Sequence, residues 1–390
     1  MPAISAITGW GQSSLSRRPG PSVAELARDA CIAAVEHAGM AWSEIDGLIL
    51  GQSDILDRSA LTLAFRHSLD LGELNLLCVT EGKGTTVLQA IHHASLAVSA
   101  GMARTVLCVF SDTPIRDEKQ AGDTFARPSK IMNLPDWENR YGCFGAIGAY
   151  ALAASAYRGL YGFGEDAYSP YVITCRKWAA LNPEAFLRDE IDTTAYFASP
   201  AVVEPLRLLD CAYPVNGAAA FVITGTDRAK ASAGSPVFVH GIGQGHNERS
   251  ALSALVKGGR TGAQTATNGA LAGAGLDISS IDCLQVYDAF SFSGVFALED
   301  FGFLPAGGAV EFIRAGETAP GGSLPMNTGG GHLSSYYLQG ATPLIEALRQ
   351  ASGAAGARQV PKHDTVFITN SGGCLEFHAT LVVSPHRSLS

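Results

Sequence analysis

The chain has 390 residues, 47% of them hydrophobic and 16% charged, with a net charge of −9. That acidic balance argues against a nucleic-acid binder, which presents a basic face, while the length allows two or more packed units. No apolar run reaches the roughly 18 residues of a membrane span, and Met1 to Gly9 lacks the basic-then-apolar order of a secretory leader. None of the eight cysteines forms a C-x-x-C pair, so no zinc site built by this chain is expected. Several cysteines sit inside apolar runs, as in Leu76-Leu77-Cys78-Val79, and read as small core residues of a reduced, cytoplasmic chain.

In chain order, Ala3 to Gly9 reads as a strand. Ser22 to Gly39 reads as a helix, with Ser22 and Glu25 spaced as a capping box and Gly39 as its stop. Ile45 to Gly51 is an apolar strand, Leu61 to Leu69 a further helical candidate, and Leu74 to Thr80 a strand. Thr85 to Ala100 is a long apolar helix closed by Gly101, and Thr105 to Ser111 a strand of the buried, parallel type. Strands and helices alternating at this spacing imply βαβ units. Residues 112–200 break the rhythm and read as an inserted loop domain with two helical patterns, Gly145 to Tyr161 and Ala167 to Ala180. Leu206 to Cys211 and Ala218 to Thr224 return to strand character, with Asn216-Gly217 as a hairpin signal. Val237 to Gly241 is another strand and Gly262 to Gly275 another helix.

An internal repeat joins the two parts. Ala38-Gly39 is followed at a fixed offset by Ile45-Asp46, and Ala274-Gly275 by Ile281-Asp282 at the same offset. Each copy follows a helix and precedes an apolar strand, the signature of a duplicated α/β unit. The halves are expected at 1–230, including the inserted segment, and 231–390. Near the end, residues 326–341 carry three consecutive glycines (Gly329, Gly330, Gly331), two tyrosines (Tyr336, Tyr337), and then a helical pattern. A glycine-rich loop feeding a helix start can cradle an anionic oxygen with its N–H groups.

Four stretches resemble the thiolase superfamily, in particular sterol-carrier-protein-type thiolases and lipid-transfer-protein homologues. They are residues 205–220, Val286-Tyr287-Asp288-Ala289-Phe290, Asn327 to Gly340, and Thr369-Asn370-Ser371-Gly372-Gly373-Cys374. The resemblance implies an α/β fold of two duplicated βαβαβαββ halves in a five-layered αβαβα arrangement, and a dimer.

The chemistry departs from that family. Matching the family's Glu-x-x-Cys to Glu81-Gly82-Lys83-Gly84 puts Gly84 where the nucleophile belongs. Tyr337 falls at the catalytic histidine, Asn370 near the second cysteine, and Tyr287 at the asparagine or histidine of the other block. Transfer of an acyl group through this chain's own cysteine is therefore not expected. The pattern resembles the cysteine-less aldolases of steroid side-chain breakdown, which cleave a β-hydroxyacyl-CoA to a ketone or aldehyde and a shorter acyl-CoA. Such a step needs proton transfers and stabilisation of an enolate, and no acyl-enzyme. Tyr287 and Tyr337 are the candidates for the proton transfers, with His332 or His378 as a relay and Asp288 to orient it. A phenol of ordinary pKa, about 10, is a poor base at neutral pH, so a relay or a cationic neighbour is expected. Gly84, Gly330, Gly331, Gly372, Gly373, His246, Tyr336 and His378 are the candidate substrate-binding residues, with CoA thioester as substrate, no covalently bound cofactor and no metal on this chain.

The resemblance further implies a small OB-fold and zinc-ribbon partner subunit. Two other readings compete: a thiolase-type acyltransferase using another cysteine, and a non-catalytic acyl-CoA or lipid-binding subunit.

Overall fold

The computed structural model describes residues 2–53, 63–117, 145–231, 235–247, 251–257 and 261–389. Residues 118–144 of the expected inserted segment, with Cys143, lie outside the described residues, as do Leu61 and Thr62 at the start of one expected helix.

The strands are β1 (Ser5–Gln12), β2 (Gly47–Gly51), β3 (Leu76–Thr80), β4 (Thr105–Asp112), β5 (Ala201–Val203), β6 (Leu206–Arg207), β7 (Gly217–Thr224), β8 (Val237–His246), β9 (Cys283–Val286), β10 (Val366–Gly372) and β11 (Phe377–Ser384). The helices are α1 (Val23–Ala38), α2 (Thr86–Ser99), α3 (Gly145–Tyr161), α4 (Ser169–Ala180), α5 (Thr193–Ala198), α6 (Ala251–Lys257), α7 (Ala263–Ala274), α8 (Ser291–Asp300), α9 (Ala309–Arg314) and α10 (Ala341–Ala351).

Nine strands form one sheet in the order β3-β2-β4-β7-β1-β8-β11-β10-β9. Two similar blocks meet where β1 pairs β8 antiparallel, Ser5 to Ile7 against Val237 to Val239. The alternation of strand side chains sorts the core into layers. Leu48, Leu50, Leu107 and Val109 pack outward on α1. Ile49, Val106, Cys108 and Phe110 face inward, where α2 and α10 share a core with Ile368 and Leu381. Phe367 and Val382 face the far side, against α7. The layers run α1, the first block of the sheet, α2 with α10, the second block of the sheet, α7.

The expected caps form. Ser22 Oγ receives the Glu25 N–H, the Glu25 side chain answers the Ser22 N–H, and Gly39 closes α1 in the left-handed region. Such a cap contributes about 1 kcal/mol. The repeat is a physical one. Gly275 closes α7 in the same left-handed geometry. Asp46 N–H donates to Thr105 O at 3.1 Å, and Asp282 N–H donates to Thr365 O at 3.0 Å. Each aspartate side chain accepts the amide of that same threonine, at 2.8 Å and 3.1 Å. A second correspondence lies in glycines on the two central strands. A Cβ at Gly11 of β1 would stand 2.6 Å from Ala33 Cβ of α1, and one at Gly243 of β8 would stand 2.8 Å from the Ala266 carbonyl carbon of α7. Alternate glycines bring each outer helix onto its strand at backbone contact.

Two local expectations are corrected. Leu206 to Cys211 is a strand only over Leu206–Arg207 and then turns through a 3₁₀ segment, Leu208–Asp210. The Asp210 carboxylate accepts the Arg207 N–H at 2.7 Å and pulls the chain into that turn. Asn216-Gly217 makes no hairpin: the Asn216 amide accepts from Ile115 N–H and donates to Ile115 O, while Gly217 opens β7. The helical candidate at Leu61 to Leu69 is a 3₁₀ helix over Leu63–Leu69.

Candidate active site

Two helix starts and two strand ends meet at one point. Gly84 precedes α2 in a short 3₁₀ turn, Lys83–Thr85, and Gly340 precedes α10. Tyr287 follows β9, and Asn370 to Gly372 end β10. Packing here is at backbone contact. A Cβ on Gly84 would overlap Ser371 O and reach 2.8 Å from Tyr287 Cζ. A Cβ on Gly340 would lie 2.8 Å from Gly84 O and 2.9 Å from Asn370 Cγ. The Tyr287 ring therefore fills the space that any side chain at position 84 would need.

The Tyr287 and Tyr337 hydroxyls are 2.6 Å apart, a short hydrogen bond in which either oxygen can donate. Tyr287 is buried at 7% exposure, and Tyr337 is half-buried. Tyr337 is held through its backbone: its N–H donates to Tyr213 O at 2.7 Å, and its O accepts from Val215 N–H at 3.3 Å. Sequence reading named both tyrosines, and the fold joins them.

His332 stands edge-on to both rings, with centroids 4.7 Å from Tyr287 and 4.9 Å from Tyr337. Its nitrogens face the main chain. Nε2–H donates to Gln339 O at 2.9 Å, and Nδ1 accepts the Asp288 N–H at 3.2 Å. Burial pushes its pKa down to about 3, so the ring is neutral. The 3.2 Å approach of Nδ1 to Asp288 Oδ1 is accordingly not an ion pair. With both nitrogens bonded in this way, His332 packs its ring against the two phenols.

Asp288 is likewise bonded within the loop. Its Oδ1 accepts the His332 N–H at 2.8 Å and its Oδ2 accepts from Tyr171 Oη of α4 at 2.9 Å. Burial raises its pKa to about 7 although hydrogen bonds from His332 N–H, Tyr171 and Asn327 pull the other way. It anchors the glycine-rich loop. A Cβ on Gly331 would stand 3.0 Å from Asp288 Cγ, and both Gly330 (φ 101°) and Gly331 (φ 61°) take left-handed backbone that favours glycine. Gly330 N–H donates to Asn327 O at 2.8 Å, so it closes a turn and is not an oxyanion donor.

The other expected binding residues divide. Gly372 packs onto the 82–84 turn, 3.0 Å from Gly84 N at its Cβ position. Gly373 O accepts from Tyr150 Oη of α3 at 3.1 Å. His378 turns away from the phenols: Nε2 bonds Leu375 O at 2.9 Å, Nδ1 meets Ser371 Oγ at 3.4 Å, and the ring stands edge-on to Phe301 in the outer core. Burial lowers its pKa to about 4. His246 is exposed at the end of β8, bonded to Gln244 Oε1 and tilted onto Phe377, the ring that also lies under the Lys83 ammonium. The Tyr336 hydroxyl accepts from Gln12 Nε2 at 2.7 Å in the central core. Gln12 lines an open cleft of about 500 Å³ with Trp10, Leu15, Phe186 and Arg349.

Sequence reading did not select Gln339, Asn370, Asp112 or Ser53 for the site. Asn370 is buried and its Nδ2 donates to Gly340 O at 3.2 Å. Its place at a strand end before Ser-Gly-Gly was the available signal. Asp112 and Ser53 gave none, because they join the site from strands far away in sequence.

Residues 243–385 match the family described as thiolase C-terminal domain-like. The chain is 29% identical over 369 residues to the steroid side-chain-cleaving aldolase of Thermomonospora curvata, covering 91% of this chain and 92% of that protein. It is 28% identical over 366 residues to the 17-hydroxy-3-oxo-4-pregnene-20-carboxyl-CoA lyase of Mycobacterium tuberculosis, covering 90% and 92%. The solved Ltp2-ChsH2(DUF35) aldolase superposes with a TM-score of 0.87 at 27% identity, covering 100% of this chain and 99% of that one. The chain thus carries a thiolase C-terminal-like region over residues 243–385 and is similar over nearly its whole length to the steroid side-chain-cleaving aldolases.

Proposed function

We propose that this chain is an acyl-CoA lyase that cleaves a β-hydroxyacyl-CoA, with a steroid side chain or another branched or aromatic acyl group, by a retro-aldol step. The observation that carries the reading is the Tyr287–Tyr337 hydroxyl pair, 2.6 Å apart over a helix start whose Gly84 bears no nucleophile. The pair removes the difficulty of a phenol as base. One tyrosine takes the β-hydroxyl proton as it passes its own proton to the other, and the second delivers a proton to the α-carbon. As the Cα–Cβ bond breaks, its electron pair develops enolate character on the thioester and takes that proton at Cα in the same step, and the β-carbon becomes the carbonyl of a ketone or aldehyde. Both phenols begin and end neutral, so no tyrosinate is required. The converging N-terminal ends of α2 and α10 place their positive dipole ends toward the developing enolate oxygen. Asp288 and His332 position the loop, and Gly372, Gly373, His246 and Tyr336 border the substrate.

The chain works as a homodimer with a small OB-fold and zinc-ribbon subunit in the cytoplasm. Supporting the dimer, β3 is an end strand of the sheet with Val79 on it 38% exposed, and Leu96 and Met102, on and after α2, are 53% and 57% exposed. Supporting the small subunit is the similarity to the Ltp2-ChsH2(DUF35) aldolase.

The test is mass-spectrometric assay of the chain, alone and with a candidate small subunit, on β-hydroxyacyl-CoA thioesters. Stoichiometric ketone or aldehyde and shortened acyl-CoA are expected, unaffected by iodoacetamide. Loss of turnover through one alkylated cysteine would instead establish the acyltransferase reading.

A further inference from the structure

The tyrosine pair must be held in register with both blocks of the fold. Tyr287 is registered to the first block by the contact of its ring with Gly84. Tyr337 sits on a loop of the second block; backbone bonds to Tyr213 and Val215 and the Gln12–Tyr336 bond tie that loop to the first block on one side, and the Gln339 side chain ties it to the sheet edge on the other. Gln339 Nε2 donates to Asp112 Oδ2 at 3.0 Å and to Ser53 Oγ at 3.3 Å, and Ser53 Oγ donates to the same Asp112 oxygen at 2.9 Å. Asp112 ends β4 and Ser53 lies two residues past β2, so the fixed point is the C-terminal edge of the parallel part of the sheet. Gln339, Asp112 and Ser53 are 2%, 2% and 7% exposed, where polar bonds exchange little with water.

Gln339 also adopts φ 45°, a left-handed backbone that a non-glycine residue takes only when its surroundings impose it. Its carbonyl oxygen receives His332 Nε2–H at 2.9 Å, and His332 is the ring that backs both phenols. The next residue, Gly340, packs on Asn370 and Gly84. One residue therefore links the sheet edge, the backing histidine and the start of α10, two positions from Tyr337.

We propose that Gln339 is a positioning residue for the proposed cleavage. Its bonds to Asp112 and Ser53 set where the Tyr337 hydroxyl stands relative to Tyr287 and the start of α2. This rests on the assignment of Tyr337 to proton transfer, and the test separates the two.

The experiment is a double-mutant cycle on the full chain with its small subunit. Q339E sets a carboxylate against Asp112 and removes the donor. D112N restores a donor facing that carboxylate. The expected result for Q339E is a fall in kcat of about 100-fold, the effect of a misplaced reacting group, with KM changed by less than about threefold. Q339E/D112N should recover at least about tenfold of that loss, although D112N alone lowers kcat. Q339M, uncharged and of similar length, guards against misfolding of Q339E and should also lower kcat. A Q339M enzyme with wild-type kcat, or a double variant no better than Q339E, overturns the proposal. If Y337F leaves activity intact, the proton-transfer assignment fails instead. The clamp is then judged by the crystal structure of Q339M: a Tyr287–Tyr337 hydroxyl separation still at hydrogen-bond length overturns it, and a lengthened one supports it.

Discussion

The starts of α2 and α10 make one construction used twice, with opposite chemical content. Each helix begins just after a glycine, Gly84 or Gly340, whose missing side chain lets another backbone or side chain come within contact. At the α2 start that space is taken by the Tyr287 ring, so this side supplies shape and a helix dipole. At the α10 start the preceding residues supply Tyr337, which meets Tyr287 hydroxyl to hydroxyl, and Gln339, which ties the loop to the other block. The repeat thus provides a symmetric frame, and function is placed on it asymmetrically. Catalytic power is expected to track the phenol pair, and integrity the frame.

The sharpest way to break that contrast is to remove the hydroxyls. Y287F and Y337F are each expected to lower kcat by about 10³-fold, within the range for general acid–base groups. The double variant should be hardly worse than either single one, because a relay fails when any link is lost. Losses that multiply in the double variant, measured by steady-state kinetics, would show the two phenols acting separately.

Acidification tests what both helix starts rest on. His92 of α2, His332 and His378 are buried, and burial holds their pKa values at about 4, 3 and 4. As pH falls below the usual histidine value, about 6.5, the unfolded chain takes up protons there that the folded chain refuses, so stability falls. Asp288 acts oppositely, since its folded carboxyl keeps its proton up to about pH 7. Asp210, whose carboxyl burial also raises, acts with Asp288, but the three histidines outnumber the two carboxyls, so the net result is a loss of stability as pH falls from 7 to 5. Urea unfolding at pH 5, 6 and 7 reads this directly, and equal midpoints would refute it.

Substitution of the two glycines separates the two starts. G84A pushes into Ser371 O and the Tyr287 ring, with an expected fall in kcat of about 100-fold. G340A meets the Asn370 side chain and, at 2.8 Å, Gly84 O, a milder backbone contact than the overlap with Ser371 O at position 84, so a loss of about tenfold is expected. Equal losses would mean that the Tyr287 contact has no special weight.

The smallest effects lie in the frame. The Asp46 carboxylate accepts from Arg104 N–H, Thr105 N–H and the side chains of Asn75 and Arg104, and these bonds outweigh burial to hold its pKa low. Asp282 accepts from Thr365 N–H and Thr365 Oγ. D46N should therefore cost about 2 kcal/mol and D282N about 1 kcal/mol in chemical denaturation, with kcat unchanged in both.

What could be read from residues alone was whatever is encoded locally. The Ser22 and Glu25 cap, the Gly39 and Gly275 stops, the alternation of helix and strand, and the repeated Ile-Asp step are patterns over a few neighbouring positions, and they fix backbone geometry through hydrogen bonds within reach. Tyr287 and Tyr337 were also legible, because the resemblance marked the two positions. Their hydroxyl contact was not, since 50 residues separate them and only the packing of β9 against the loop before α10 brings them together. The same holds for His332 and Asp288, whose residue types suggest a relay but whose polar atoms the fold spends on the main chain and on Tyr171. Gln339, Asp112 and Ser53 carry no local pattern at all. Their meeting depends on strand ends and a loop converging across the two blocks, which is a property of tertiary packing alone.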